Sequence, residues 1–196
     1  MLDKYENLIQ GVLENDFGSV DDFFTGGEII RFRQTLVNQY KQDQFNTAGI
    51  GNQFNRVKNK EIRNDQIKWL NRSTTLESEQ VFFQKIDAFT AYLNQTCFTG
   101  ITETEFHYAL YPHGSFYKRH VDRFSNDDRR KFSFVLYLTD DWQTGDGGEL
   151  QIYRKGLSHT IQPKAGTIVF FDSCLEHEVL VSKTNRMSLT GWFKTV

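Results

Sequence analysis

Two side chains of types that bind metal ions stand two positions apart in the segment 111–124. They are His120 and Asp122, separated by Val121. Side chains of a β-strand alternate between the two faces of a sheet, so residues two apart share a face. An imidazole and a carboxylate placed in this way could ligate a metal ion. Such pairs also occur on solvated faces, and the pair needs a third ligand to make a site.

The third ligand that we predict is His177, which opens an apolar strand late in the chain. Two histidines and one carboxylate on one side of a metal, with open positions opposite, form the facial triad of non-haem Fe(II) oxygenases. A zinc ion bound by two histidines, a carboxylate and water uses the same ligands. The three ligands alone leave both metals open.

A basic residue follows the third ligand at short range. Arg186 lies nine positions later, across a predicted hairpin turn at 182–185, and shares one strand face with Ser188, Thr190 and Trp192. A buried guanidinium without a counter-ion costs several kcal/mol. Its planar fork binds a carboxylate through two hydrogen bonds. We therefore expect a receptor for an anionic cosubstrate, which the zinc interpretation leaves unexplained.

The first hundred residues are predicted to be mainly helical, because apolar residues recur there at helical spacing. The predicted helices lie at 5–13, at 28–40 behind a Gly26-Gly27 break, and from a capping box at Thr74 and Glu77 onward. The segment 61–70 predicts a hairpin or bent strand. The segment 47–60 predicts a loop, which is either a lid or binding loop or a plain mobile connection.

From residue 102 onward the pattern changes to short alternating segments. The predicted strands are 102–110, 131–138, 149–153, 160–162, 167–171, 176–181 and 186–194, and the last two form a predicted hairpin. Many short strands separated by turns indicate a sandwich or barrel. Helices followed by strands indicate an α+β fold, mainly β, in which the helices cover one face of a β-roll.

The 196 residues suit a single domain. We expect 1–100 to supply helical support and the loop, and 101–196 to form the core. The net charge of −2 argues against a nucleic-acid partner bound through bulk charge. There is no signal-peptide pattern and no apolar run of membrane-spanning length. Two cysteines, Cys97 and Cys174, make no disulfide framework, so we expect a cytoplasmic protein.

Five motifs follow one another between residues 61 and 193. They are IRNDQIKWL, YPHGSFYKRHVD, LYLTDDW, GDGGEL, and HEV with RMSLTGW nine residues later. In this order and spacing they resemble the Fe(II)/2-oxoglutarate-dependent prolyl 4-hydroxylase family, especially the branch of the HIF prolyl hydroxylases and their bacterial relatives. The resemblance implies a double-stranded β-helix (jelly roll) with supporting N-terminal helices.

The resemblance also implies roles for individual residues. The residues it assigns to iron and catalysis are His120, Asp122 and His177. The residues it assigns to 2-oxoglutarate are Arg186, Tyr137, Thr190 and Tyr111. The residues it assigns to the substrate side are Trp192, Arg63 and Asp65, where Asn64 replaces the Gly of the family's Arg-Gly-Asp. Arg186 and Tyr137 would hold the distal carboxylate of the cosubstrate.

The activity implied is that of a dioxygenase that uses Fe(II), 2-oxoglutarate and O2, with ascorbate as a further candidate cofactor. It would hydroxylate a prolyl residue of a protein partner and release succinate and CO2. The same chemistry on a free amino acid or another residue type, and a non-catalytic sensor, are the alternatives. We expect no nucleic-acid or membrane partner. His107 is interpreted as a satisfied sheet histidine rather than a pocket residue. Arg129-Arg130-Lys131 is interpreted as a solvated run, with reception of an acidic substrate beside the site as the alternative.

Overall fold

The computed structural model describes residues 1–49, 59, 61–123 and 128–196, so most of the loop predicted at 47–60 lies outside the described residues. The helices are α1 (Leu2–Asn15), α2 (Gly26–Lys41) and α3 (Glu77–Cys97). The strands of the first half are β1 (Phe17–Val20), β2 (Asn46–Thr47) and β3 (Gln66–Trp69). Those of the second half are β4 (Glu103–Tyr111), β5 (Tyr117–His120), β6 (Arg130–Tyr137), β7 (Leu150–Arg154), β8 (Leu157–Ile161), β9 (Ile168–Asp172), β10 (Glu176–Val179) and β11 (Arg186–Lys194).

The three predicted helices are confirmed, but their start signals differ from the prediction. A capping box begins α2, because the Thr25 side chain accepts a hydrogen bond from the Glu28 amide and the Glu28 carboxylate accepts one from the Thr25 amide at 2.7 Å. The two glycines therefore lie in the first turn of α2 and not before it. The capping box predicted at Thr74 is wrong: α3 begins after Leu76, so the threonine is too far from the first turn to cap it.

Two antiparallel sheets form the β part of the fold. The major sheet has the strand order β1-β9-β6-β11-β4-β3-β2, and the minor sheet has the order β5-β10-β7-β8. Apolar residues of both sheets pack together, including Tyr137 and Phe171 from the major sheet and Leu150 and Ile152 from the minor sheet. The sheets thus face each other across a shared core, and the predicted double-stranded β-helix is confirmed.

The hairpin predicted for the last two strands is wrong. Strand β10 pairs with β5 and β7 in the minor sheet, whereas β11 pairs with β4 and β6 in the major sheet. Facing sheets lie about 10 Å apart, so the segment 182–185 carries the chain from one layer to the other. Ser182 anchors this crossing, because its amide donates to the Ser115 carbonyl at 2.8 Å. Sequence alone had also missed β1, which pairs with β9 at the edge of the major sheet.

The outer face of the major sheet packs against the three helices through a cluster rich in phenylalanine. Phe134 of β6 lies at its centre, fully buried, with its ring centroid 5.8 Å from that of Phe106 and 6.4 Å from that of Phe82. The helices therefore hold the major sheet in place from behind, and its other face remains available to line a cavity. Among the helices of the described residues, none combines the length and apolar character needed to cross a membrane.

Truncating the centre of this cluster should destabilise the fold without touching the cavity. We expect Phe134→Ala to lower the free energy of unfolding by about 3–5 kcal/mol, because a buried ring is lost and a void remains. Urea denaturation measures the change. Phe98→Ala is the matched control, since that ring is 88% exposed, and its effect should be small. Equal effects of the two variants would contradict the packing described.

Candidate active site

The structure brings the three predicted metal ligands together, although not by the strand alternation that suggested them. His120 is the last residue of β5, and Asp122 lies beyond the end of that strand. Two hydrogen bonds fix this turn, because the amides of Asp122 and Arg123 both donate to the Ser173 carbonyl at 3.0 Å. His177 lies on β10 directly opposite His120 in the minor sheet.

The three side chains form a compact cluster. Oδ1 of Asp122 lies 3.6 Å from Nε2 of His120, and Oδ2 lies 3.4 Å from Nε2 of His177. One ligand atom from each residue lies within 4.8 Å of the others, and in the part of the chain that the structure describes this is the one such group of three. Two imidazoles and one carboxylate on one side of a cavity are a donor set that suits Fe(II).

Backbone carbonyls orient both imidazoles. Nδ1 of His120 lies 2.7 Å from the Lys118 carbonyl, and Nδ1 of His177 lies 2.8 Å from the Leu175 carbonyl. A carbonyl only accepts hydrogen bonds, so each Nδ1 carries the proton and donates it. Each Nε2 then presents a lone pair toward Asp122. Outer hydrogen bonds of this kind select the ligating tautomer and fix the ring in metal-binding histidines.

The electrostatics keep Asp122 and His177 in their ligating protonation states. Burial opposes ionisation of Asp122, but His177, His120 and Arg130 outweigh it and hold the pKa of the carboxyl below its usual range. Burial, followed by the neighbouring His120, lowers the pKa of His177 to about 4 against the opposing effect of Asp122. The carboxylate is therefore ionised and His177 is neutral near pH 7. Ser133 adds a hydrogen bond to Oδ2 of Asp122 at 2.7 Å.

Arg186 is a buried cation whose charge no described side chain neutralises. It is 2% exposed, its Nε donates to the Gly148 carbonyl at 3.1 Å, and one terminal nitrogen donates to Ser188 Oγ at 3.1 Å. No carboxylate in the described ranges forms a salt bridge with it. Its guanidinium carbon lies 4.6 Å from the ring centroid of Tyr111 and 5.0 Å from that of Tyr137. An unneutralised buried guanidinium of this kind fits the carboxylate of a ligand.

The hydroxyl of Tyr137 points to the same conclusion. It is fully buried and makes no hydrogen bond within the described part of the chain. Burial raises the pKa of Tyr137, with Arg186 opposing the shift, so the hydroxyl keeps its proton and can donate it. Thr190 Oγ1, 3.2 Å from Ser188 Oγ, extends the polar surface next to the guanidinium. A ligand carboxylate here would satisfy donors that are otherwise costly to bury.

One cavity connects the metal ligands with this anion receptor. Its volume is about 460 Å³ with its open mouth included. The predicted site residues that line it are His120, Asp122, His177, Arg186, Thr190, Tyr111, Trp192 and Arg63. Tyr137 packs in the core between the sheets, beside Arg186. The ligands come from the minor sheet and the turn after it, whereas the receptor comes from β11 of the major sheet.

A second cavity of about 410 Å³, with its open mouth included, adjoins the first and shares Asp122 with it. Arg63 and Trp192, two of the predicted substrate-side residues, line both cavities. Asp65 lines neither. It is fully buried and accepts two hydrogen bonds from the Arg63 guanidinium, at 2.8 and 2.6 Å. His107 also lines both cavities, with its ring centroid 4.9 Å from that of Trp69 and 5.4 Å from that of Trp192, so the interpretation of it as a sheet residue only is wrong.

Three residues near the site were misjudged or missed from the sequence. Arg130, predicted to be solvated, is 8% exposed, binds Glu105 at 2.8 Å and stacks on Trp192 with its guanidinium carbon 3.5 Å from the ring centroid. Burial of a cation within a charged run cannot be predicted from local sequence when the carboxylate that it binds lies on a strand far away along the chain. Ser133 lies in none of the five motifs, and Tyr117 lies inside YPHGSFYKRHVD, where no role was assigned to it.

The chain is similar to proteins of known family and structure. Residues 106–194 match the model of the 2OG-Fe(II) oxygenase superfamily. A Pseudomonas putida prolyl-4-hydroxylase is similar over nearly the whole length, with 32% identity, a TM-score of 0.88, and coverage of 98% of this chain and 99% of that one. A Trichoplax adhaerens prolyl hydroxylase, solved with a hypoxia-inducible-factor peptide fragment, has the same fold, with a TM-score of 0.89, 23% identity, and coverage of 97% and 88%.

Curated relatives are similar over a shorter stretch. The prolyl 3-hydroxylase OGFOD1 of Xenopus laevis is 32% identical over 33% of this chain. The matched stretch is only 15% of that relative, so the similarity is confined to a small part of a longer protein.

Proposed function

The chain belongs to the 2OG-Fe(II) oxygenase superfamily, and from this premise we propose that it hydroxylates a prolyl residue of a protein substrate. Enzymes of this superfamily use Fe(II), 2-oxoglutarate and O2. The observation that carries the proposal is one cavity that holds a His-Asp-His cluster at one wall and the unneutralised Arg186 at another. The full-length similarity to a prolyl-4-hydroxylase supports the choice of substrate.

We assign the metal to His120, Asp122 and His177, each of which offers one ligand atom. Iron and 2-oxoglutarate, when bound, supply the oxidation of a substrate C–H bond to an alcohol, coupled to decarboxylation of the cosubstrate to succinate and CO2. The three side chains would hold the metal at one wall of the cavity, where the cosubstrate and O2 could reach it. Asp122 brings one negative charge, and the two imidazoles bring none.

The far carboxylate of 2-oxoglutarate is assigned to Arg186 and Tyr137, with Thr190 beside them. The guanidinium and the phenol hydroxyl both donate hydrogen bonds, and neither has an anionic partner in the described part of the chain. Tyr111 forms the wall between this receptor and the metal, since its ring lies against Arg186 and it lines the cavity. The cosubstrate is thereby oriented with its reactive end toward the metal ligands.

The second cavity, lined by Trp69, Trp192, Arg63 and Arg130, is assigned to the protein substrate. Trp192 and Trp69 offer aromatic surface, which packs well against a proline ring, and Arg63 and Arg130 border it. Their guanidinium groups are already paired with Asp65 and Glu105, so this wall is polar without carrying a large free charge. A peptide segment with a proline at the metal fits such a wall better than a compact charged amino acid would.

The substrate class can be tested directly. The protein is incubated with Fe(II), 2-oxoglutarate, O2 and a panel of proline-containing peptides, with ascorbate as a proposed reductant, and mass spectrometry follows a gain of about 16 Da. We expect the gain on a peptidyl proline, together with succinate. Free proline is the matched control. Hydroxylation of free proline alone would replace the proposal by the amino-acid alternative, and iron and cosubstrate binding without succinate would favour a sensor.

We place this activity in the cytoplasm. Cys97 and Cys174 are both exposed and unbridged, which suits a reducing compartment. A thiol at Cys174, three positions before a proposed iron ligand, would be exposed to oxidation elsewhere.

A further inference from the structure

The ring of Tyr117 lies flat between Arg63 and the proposed iron ligand His120. Its plane is tilted 17° from that of the imidazole, with the ring centroids 3.5 Å apart. The Arg63 guanidinium carbon lies 4.1 Å from the centroid of the same ring. We propose that Asp65, Arg63 and Tyr117 form a brace that positions the imidazole of His120 for metal binding. The inference rests on the proposed ligand role of His120.

An irregularity in β5 makes this stack possible. His120 pairs with His177, and Tyr117 pairs with Val179, so three steps along β5 match two steps along β10. In a regular strand, residues three apart point to opposite faces. The extra residue of a β-bulge re-aims a side chain. The bulge allows Tyr117 and His120 to face the same side, where both line the cavity that holds the proposed metal ligands and Arg186.

The far end of the brace is fixed by a buried ion pair. Asp65 is fully buried and Arg63 is 8% exposed, and two hydrogen bonds lock the guanidinium in one plane. The backbone is tied as well, because Arg63 forms an isolated antiparallel bridge with Tyr117, and the Lys118 amide donates to the Ile62 carbonyl at 2.9 Å. Arg63 is therefore a flat, immobile surface on which the Tyr117 ring rests.

The two histidines differ in how the sheets support them. The side chain of His177 is 6% exposed and packs edge-on against Phe171 of the major sheet, with centroids 4.8 Å apart. The side chain of His120 is 15% exposed and lies at the end of an edge strand. Its ring is held by Nδ1 at the Lys118 carbonyl and by Tyr117. Without the tyrosine, this hydrogen bond and a tilted contact with the His177 ring, with centroids 4.3 Å apart, would be left to orient it.

Metal affinity tests the brace independently of any substrate. Co(II) is titrated into the purified protein, with binding read from calorimetry and from its ligand-field absorption. Tyr117→Leu should weaken binding by about 10–100-fold, the usual cost of losing a residue that orients a metal ligand, and should alter the absorption. Tyr117→Phe keeps the ring and should bind Co(II) nearly as wild type does. Arg63→Lys keeps the positive charge but lacks the planar guanidinium. Its Co(II) affinity should lie between those of Tyr117→Leu and Tyr117→Phe.

Tyr153→Leu is the matched control for loss of a stacked tyrosine. The ring of Tyr153 also stacks under a guanidinium of the minor sheet, with the guanidinium carbon of Arg119 3.9 Å from the ring centroid. Its hydroxyl bonds Glu178, and Tyr153 does not line the cavity that holds the proposed metal ligands. Its Co(II) affinity should match wild type. Equal weakening by Tyr153→Leu and Tyr117→Leu would overturn the brace, as would unchanged Co(II) affinity in Tyr117→Leu, which would make Tyr117 a wall of the substrate cavity only.

His120→Ala separates failure of the brace from failure of the proposed function. If His120→Ala loses Co(II) and Tyr117→Leu does not, the ligand assignment stands and the brace is wrong. If His120→Ala binds Co(II) as wild type does, the ligand assignment itself fails, and the brace fails with it. Thermal melting of the variants before titration ensures that only folded protein is compared.

Discussion

His177→Ala should reduce 2-oxoglutarate turnover at least about 100-fold, because loss of a metal ligand costs no less than loss of a residue that merely orients one. The side chain is buried and lines the cavity, so its loss removes one of the three ligand atoms directly. Iron affinity should fall together with turnover. Succinate formation and metal titration measure the two effects.

His113→Ala is the matched control for this substitution. It removes the same side chain at an exposed position outside the cluster, and turnover should stay at the wild-type level. Full turnover by His177→Ala would refute the ligand assignment. A loss in both variants would point to damage to the fold, since the two residues share no contact in the site.

Arg186→Ala should act on the cosubstrate and leave the metal in place. Truncating one partner of a buried charge pair costs about 2–5 kcal/mol, which corresponds to a rise of roughly 30-fold or more in KM for 2-oxoglutarate. Affinity for Co(II) or Mn(II) without cosubstrate should be unchanged, because none of the three ligand side chains bonds the guanidinium. Steady-state kinetics and metal titration read the two quantities separately.

A truncated cosubstrate gives a chemical check on the same assignment. 2-Oxovalerate keeps the metal-binding end of 2-oxoglutarate but lacks the far carboxylate. Wild type should discriminate strongly between the two acids, and Arg186→Ala should lose most of that discrimination. Arg33→Ala, which removes a guanidinium from a surface pair with Asp140, should discriminate as wild type does. Persistent discrimination in Arg186→Ala would assign the far carboxylate to another residue.

The site residues that could be predicted from sequence are polar or charged residues at positions where the surrounding pattern predicts burial. A histidine at the start of a buried strand and an arginine on a strand face of small hydroxyl residues both require partners, so His177 and Arg186 stood out. The helices were predictable for a similar reason, because their apolar residues must face one side. Phe82, Ile86, Phe89 and Leu93 are all buried along α3, as the spacing required.

Features that depend on which strands become neighbours could not be read from local spacing. The hairpin prediction joined β10 to β11 because they are consecutive, whereas burial of both apolar faces places them in different sheets. Tyr117 escaped notice because alternation puts it on the face opposite His120, and only the bulge reverses that. Arg130 was misjudged because its partner, Glu105, lies on β4, which is separated from β6 by β11, and local spacing does not predict that pairing.

Because the site is divided between the two layers, bound cosubstrate would stabilise the fold. The proposed metal ligands belong to the minor sheet and its flanking turn, and the proposed anion receptor belongs to the major sheet. A metal with 2-oxoglutarate on it would bridge the layers as a removable cross-link. A ligand that binds only the native state adds about 2.7 kcal/mol to stability at 100 times its dissociation constant. At that concentration of 2-oxoglutarate, the unfolded fraction of this chain would be about 100-fold smaller than without it.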